Sequence, residues 1–274
     1  MTQKVAIVTD TTACIPQEQV AKYDIEVVPV QLIFEDKVYR DGLDISPSEF
    51  YALLRQAKKL PTTSASSPGP YLEAYRKASQ RAKSILCITL SAKLSAIFNS
   101  ARLAMKTAKA AIPKVTIKVL DCGTAAAASG ENLNEVIETA QSTMSRVSLF
   151  ATLDTLQYLV RSGRVPAAAA LVNSLLKIKP IFTLNYGDAH TVALPRTIPS
   201  AMKRMLKMMG KKVIKGQPLH VAVMHADALD NAIELRNQIS SRFDCTELFI
   251  TEFTPVMGVH TGPGLLGVAF YSGD

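Results

Sequence analysis

The chain has 274 residues, 48% of them hydrophobic, and its 31 Lys and Arg outnumber 23 Asp and Glu for a formal charge of +8. That length favours two ordinary domains, and the longest apolar runs fall far short of the roughly 20 residues needed to span a bilayer. With no Trp, no aromatic stacking platform and no helix-turn-helix or RNP-like signature, the basic balance does not point to a nucleic-acid partner.

Met1-Thr2-Gln3-Lys4-Val5 runs straight into a strand-like segment with no signal-peptide core, so a cytoplasmic protein is expected. Residues 5–8 read as a buried strand ending at Thr9-Asp10, and Pro16 suits a first helical turn. Residues 25–34 are extended and β-branched, and Asp41-Gly42 marks a turn. Ser46-Pro47-Ser48-Glu49 has the form of a capping box, which predicts a helix to about residue 58. A hydroxyl-rich loop, Thr62-Thr63-Ser64-Ala65-Ser66-Ser67, follows. Helix is predicted over 71–82, strand over 85–90, helix over 95–110 until Pro113 breaks it, and strand over 115–120 ending at Asp121. Strands alternating with helices imply right-handed crossovers and a mostly parallel sheet. Ligands in such sheets sit beyond the carboxyl ends of the strands. Those ends carry Thr9-Asp10-Thr11-Thr12, the second hydroxyl loop Ser91-Ala92-Lys93-Leu94-Ser95, and Asp121-Cys122-Gly123-Thr124.

The second half has a different rhythm. Helices are predicted over 153–160 and 167–177, joined through Arg161-Ser162-Gly163-Arg164-Val165-Pro166 and closed by Pro180. Residues 181–185 and 191–194 flank Gly187-Asp188 as a hairpin. Met202, Met205, Met208 and Met209 alternate with Lys203, Arg204 and Lys207, and the basic run continues through Lys211-Lys212 to Lys215. This is an amphipathic helix with a solvated basic face, or a surface for transient contact with a membrane or an acidic protein. Strand 219–224, helix 228–241, strand 245–251 and strand 267–271 complete the chain. The division falls near 148, giving an α/β domain over 1–148 and a second, mixed-sheet α/β domain over 149–274.

The four cysteines, Cys14, Cys87, Cys122 and Cys245, lack CxxC spacing and are expected to be reduced. No cluster has metal-ligand spacing, and Asp10, Asp41 and Asp44 suit turns and caps better than Mg²⁺. His260-Thr261-Gly262-Pro263-Gly264 joins one of four histidines to a tight Gly-rich turn, but no Lys-Ser/Thr follows, so it is not a P-loop. Ser95 and His260 could pair as a hydrolase dyad, although no Gly-x-Ser-x-Gly elbow surrounds Ser95 and a helix N-cap is the simpler role.

These motifs resemble the DegV family. Val8-Thr9-Asp10-Thr11-Thr12 is similar to its opening strand and Thr-Asp-Ser. Tyr39-Arg40-Asp41-Gly42 resembles its Tyr-x-Asp-Gly, Thr63-Ser64-Ala65-Ser66-Ser67-Pro68 its Thr-Ser-Gln-Pro-Ser-Pro, and Leu94-Ser95-Ala96-Ile97 its Leu-Ser-Gly-Thr. Ser162-Gly163-Arg164-Val165, Ile178-Lys179-Pro180-Ile181 and His260-Thr261-Gly262-Pro263-Gly264 resemble its Gly-Gly-Arg-Ile, Ile-Lys-Pro-Ile and His-x-Gly-Pro-Gly. The resemblance implies a two-domain fold, a parallel α/β/α sheet followed by a mixed-sheet α/β domain, with a long-chain fatty acid in a buried tunnel between them. It further implies that the chain catalyses nothing, needs no cofactor or metal beyond its fatty acid ligand, and presents the carboxylate to a separate fatty acid kinase. Carried over by position, Thr63, Ser95 and His260 bind that carboxylate, while Ser64, Arg164, Arg196, Gly262 and Gly264 support the head group or face the partner. The departures at Ala65-Ser66, Ala96-Ile97 and Ser162 fall within these motifs. A lipid hydrolase, a phosphotransferase related to dihydroxyacetone kinases, and a lipid-liganded interaction protein remain the alternatives.

Overall fold

The computed structural model describes residues 5–122, 133–165, 168, 178–185 and 187–273. They pack as two compact units, Met1–Ser46 with Lys58–Ser145, and Pro47–Ala57 with Arg146–Asp274. The sequence suggests one cut, at 148; instead Pro47–Ala57 leaves the N-terminal block for the second unit.

The first unit is built on four parallel strands, β1 (Val5–Asp10), β2 (Glu26–Val28), β6 (Ser84–Leu90) and β7 (Thr116–Cys122), in the order β2-β1-β6-β7. The runs VAIVTD and SILCITL are buried at nearly every position, and apolar apart from Thr9, Asp10, Ser84 and Thr89, because both faces are covered. On one face, helices α3 (Pro68–Ser79) and α4 (Ile97–Ala111) bury Tyr71, Tyr75, Ala101 and Ala104, and the Tyr75 hydroxyl donates to Ala101 O at 3.1 Å. On the other, Val136 of α5 (Leu133–Arg146) packs with Val5, Leu86, Ile88 and Cys122. Short α1 (Gln17–Lys22) joins β1 to β2.

A three-stranded antiparallel sheet, β4-β3-β5, comprises β3 (Gln31–Phe34), β4 (Lys37–Arg40) and β5 (Thr62–Ser64). The single extended run expected over 25–34 is therefore two strands in two sheets, divided at Pro29-Val30. Proline offers no ladder donor, and the Val30 amide donates instead to Thr11 Oγ1 at 3.2 Å.

The second unit carries a six-stranded mixed sheet, ordered β10-β9-β8-β13-β11-β12, from β8 (Ser148–Thr152), β9 (Ile181–Asn185), β10 (Asp188–Ala193), β11 (Leu219–His225), β12 (Glu247–Glu252) and β13 (Leu266–Ser272). The hairpin expected around Gly187-Asp188 is β9–β10. The methionine-bearing helix, α7 (Ile198–Met209), buries Met202, Met205, Leu206 and Met209 against Val221, Val223, Val268 and Phe270, and leaves Lys203, Arg204 and Lys207 exposed. A capping box opens it: Ser200 N donates to Thr197 Oγ1, and Thr197 N to Ser200 Oγ, each at 3.2 Å. The helix stops at Met209, so Lys211, Lys212 and Lys215 lie beyond it. Helix α8 (Leu229–Ser240) adds Leu235 and Ile239 to the same core.

Helix α2 (Pro47–Gln56) begins at the expected proline. It joins this unit through Phe50 and Tyr51, which lie against Gly258, and through the Tyr51 hydroxyl, which donates to Phe253 O at 3.1 Å. Strands β4, β5 and β8 and helices α5 and α9 (Pro255–Thr261) are additions to the sequence reading. Where helix was predicted over 153–160, α6 runs Gln157–Ser162. The helix expected over 167–177 and the stretch 124–132 lie outside the described residues.

Candidate functional site

In the first sheet, β1 leads to β2 on one side while the later strands β6 and β7 build outward on the other. The winding reverses between β1 and β6, and ligands in open α/β sheets favour the carboxyl end of such a reversal. Here that end holds Asp10 and the turn Thr11–Ala13 after β1, and Ser91 to Ser95 after β6. Asp10 Oδ1 accepts from the Thr12 amide at 3.0 Å and from the Thr12 hydroxyl, and Oδ2 accepts from the Tyr71 hydroxyl at 3.3 Å. Burial pushes the Asp10 carboxyl above its ordinary value, against the Thr12 and Tyr71 hydrogen bonds and helped by the charge of Asp41. Asp44 accepts from the Arg40 amide at 2.7 Å and pairs with its guanidinium, which holds the Asp44 carboxyl down at about 2. Asp10 and Asp44 thus act as turn acceptors.

Thr63 lies on a strand, not in a loop. It is the middle residue of β5, half-buried, with Leu32 of β3 as its register partner, while Ser64 pairs with Gln31. The strand lies near the carboxyl end of the parallel sheet because β3 follows β2 within three residues, and Ser66 Oγ donates to Pro29 O at that junction. The sequence signal for β5 is weak: three hydroxyl residues are too short a run to show a two-residue period.

Ser95 is half-buried just ahead of α4. Its amide donates to Ser91 O at 3.1 Å, and its Oγ accepts from Ile97 N at 3.3 Å, a long hydrogen bond of the N-capping kind. The loop is held at its other end by Ala92 N, which donates to Asp121 Oδ2 at 3.2 Å. Thr63 and Ser95 therefore stand on separate elements at the carboxyl end of one sheet.

In the second unit, His260 occupies the last turn of the seven-residue helix α9 rather than the Gly-rich turn that follows. Burial, and then the charge of Arg164, lower its imidazole to about 4, so the ring is neutral at pH 7. The charge of Arg164 thus reaches the His260 ring, a coupling with no signal in their separation along the chain. Arg164 is anchored locally, with Nη1 donating to Ser162 O at 3.0 Å and its amide to Ser162 Oγ at 3.2 Å. Ser162, which departs from the family pattern, supplies both acceptors.

Gly262 and Gly264 have φ of +69° and +87°. A Cβ on Gly262 would lie 2.2 Å from Tyr158 Cδ2, and one on Gly264 2.4 Å from Asp154 Cβ. Both positions therefore need glycine twice over, for backbone conformation and for space. Tyr158 and Asp154, which shape this turn, give no sign of that role in the sequence. Arg196 is exposed in the bend between β10 and α7. Among the described residues, no group of three His, Cys, Asp or Glu is placed to hold a metal ion, and no helix is long and apolar enough to cross a membrane.

Comparison with known proteins extends these observations. A DegV domain-containing protein of Streptomyces coelicolor is 32% identical over 287 residues, spanning 99% of this chain and 100% of that one. A second, from Clostridium acetobutylicum, is 30% identical over 281 residues. Among solved structures, a fatty-acid-binding DegV family protein from Thermus thermophilus aligns with a TM-score of 0.89 and 27% identity, over 98% of this chain and 100% of that one. DegV of Bacillus subtilis, a fatty acid binding protein, aligns with a TM-score of 0.87 and 26% identity, over 98% and 99%. The DegV family pattern matches residues 4–273, and this chain belongs to the DegV family.

Proposed function

We propose that this protein binds a long-chain fatty acid and presents its carboxylate to a separate fatty acid kinase, with no catalysis of its own. The observation that carries the reading is whole-chain likeness to DegV proteins of Thermus thermophilus and Bacillus subtilis that bind fatty acid. The hydroxyls of Thr63 and Ser95 and the imidazole of His260 are the groups we assign to the carboxylate. Ser64, Arg164, Arg196, Gly262 and Gly264 shape or surround the head group.

The chemistry of these groups suits a carrier. Burying about 14 methylenes at ~0.8 kcal/mol each contributes roughly 11 kcal/mol gross, less several for lost freedom. The acyl chain therefore dominates affinity, and hydroxyl hydrogen bonds of about 1.5–3 kcal/mol each position the carboxylate. A neutral His260 donates one hydrogen bond without forming a full ion pair, which leaves the bound oxygen nucleophilic toward a phosphoryl donor. Arg164 supplies positive potential that favours an anion while opposing protonation of the ring.

Fatty acid titrations of the delipidated chain test the assignment. Thr63→Ala/Ser95→Ala should bind oleate about a hundredfold or more weakly, the loss of two such hydrogen bonds, with an unchanged circular dichroism spectrum. With a purified fatty acid kinase and ATP, acyl phosphate should form on the wild type and fall sharply in the variant. Equal binding and equal phosphorylation would remove both residues from the head-group site.

A further inference from the structure

The second unit contains a pocket of about 420 Å³, within the size range of small-molecule sites. It opens beyond the carboxyl ends of β11 and β12, where His225 and Glu252 are register partners, and beside the first turn of α8. Asp154, His225, Asp227, Asp230, Glu252 and Gly264 line it. Four carboxylates in one pocket stand out on a chain of charge +8.

Two of the four are compensated, because Asp154 pairs with Lys179 and Asp227 with Arg55. Asp230 and Glu252 have no ion-pair partner among the described residues. Burial, and the charge of Asp227, push the Glu252 carboxyl above its ordinary value. His225 is 4% exposed, and its Nδ1 accepts from the Ala228 amide at 3.4 Å. That bond leaves the proton of the neutral ring on Nε2, which has no hydrogen-bond partner among the described residues. A nearly buried ring thus brings an unused donor to the pocket, beside two uncompensated acceptors.

The tautomer decides the ligand class. With its proton on Nε2, His225 is a donor and not a metal ligand, in keeping with the lack of a metal-ligand cluster among the described residues. The carboxylates call for a cationic donor, and Ile198 and Leu229, on the wall of the same pocket, suit an alkyl stem. We propose that this pocket binds a guanidinium or primary ammonium group on a short alkyl stem, held by Asp230 and Glu252, with His225 Nε2–H donating to an acceptor where the ligand carries one. Such a cation is either free, as in a diamine, or the side chain of a Lys or Arg on a partner protein. A protein-borne side chain brings a backbone carbonyl for His225, and a simple diamine does not. The pocket shares Gly264 with the proposed head-group surroundings, but the groups assigned to the cation, Asp230, Glu252 and His225, have no part in the fatty acid reading, so the two are tested separately.

Calorimetric titration of the full chain with two probes tests it: agmatine, and Nα-acetyl-arginine methylamide, which carries the same guanidinium plus carbonyl acceptors. Saturable binding of at least one probe is expected. It should weaken roughly tenfold or more in Asp230→Asn/Glu252→Gln, one decade being 1.4 kcal/mol. Equal binding of both probes assigns the site to a free small cation. Preferential binding of the arginine derivative, abolished by His225→Phe, assigns it to a protein-borne side chain. Leu229→Lys, at a 53% exposed position on the wall, should occupy the pocket with its own ammonium and block either probe. No saturable binding of either probe up to about 10 mM, or undiminished binding in the carboxylate double variant and in Leu229→Lys, would overturn the proposal.

Discussion

At Gly262 the backbone has φ +69° and a side chain would meet the ring of Tyr158, so two independent penalties coincide at one residue. Gly262→Ala should lower stability by about 2–4 kcal/mol, from left-handed strain and overpacking together, measured by urea denaturation. Tyr158→Ala in the same background should return only the packing part. A neighbouring residue sets a pH dependence. The ordinary imidazole value is 6.5 and that of folded His260 is about 4. Between those values the unfolded chain holds a proton on this ring that the folded chain lacks, so stability rises with pH across the window. The contribution is intact above the unfolded value and is lost as pH falls toward 4. Burial shifts His225 in the same direction. A stability profile from pH 7.5 to about 4 should therefore fall for the wild type and flatten in part for His260→Gln; a parallel profile in the variant would contradict this account of the ring. His260 and Gly262 stand out in the sequence by residue type and spacing. The roles of Tyr158 and Asp154 and the coupling to Arg164 do not, because they arise from tertiary packing alone.

Among the elements, α7 couples opposite faces: four large apolar side chains enter the core while Lys203, Arg204 and Lys207 stay in water. Met205→Ala should cost about 2–5 kcal/mol as a cavity-forming change, whereas Lys207→Glu should stay within about 0.5 kcal/mol of the wild type, both by thermal or denaturant unfolding. Helices of this kind were legible in the sequence because a 3.6-residue period over three turns leaves a clear pattern. The long central strands β1, β6 and β11 were legible as short apolar runs between turn residues. Helix α5 and strand β8 were missed although both are of ordinary length, and three further kinds of element escaped for physical reasons. β5 and β4 are too short, and β5 too polar, for a period to register. The 25–34 run hid a change of sheet because both halves are extended and β-branched, and only Pro29 marks the break. Helix α9 is seven residues long and interrupted by Gly258, where Phe50 and Tyr51 leave no room for a side chain. The assignment of α2 to the second unit was not legible, since its amphipathic pattern states that a face is buried and not against what.

For the molecule as a whole, membership of the DegV family, matched over residues 4–273, explains why this sequence carries polar motifs scattered over nearly its full length. In the proposed carrier function the acyl chain would supply affinity and the small polar groups position. Ligand should therefore stabilise the native state by mass action, by about 2.7 kcal/mol at a hundredfold excess over Kd, seen as a rise in Tm on adding oleate to delipidated protein. A Tm unmoved by saturating oleate would deny the folded state any differential affinity. The departures at Ala96-Ile97 bear on this level too: the Ile97 side chain is 1% exposed at the start of α4, so it fills core volume rather than offering a hydroxyl to the head group. The most direct measurement is native mass spectrometry of the purified chain followed by lipid identification after denaturation. A fatty acid carrier should appear as a protein species heavier by one long-chain fatty acid, which is released on unfolding and restored when the stripped protein is incubated with palmitate or oleate. A chain that purifies without lipid and takes up neither acid would contradict that reading.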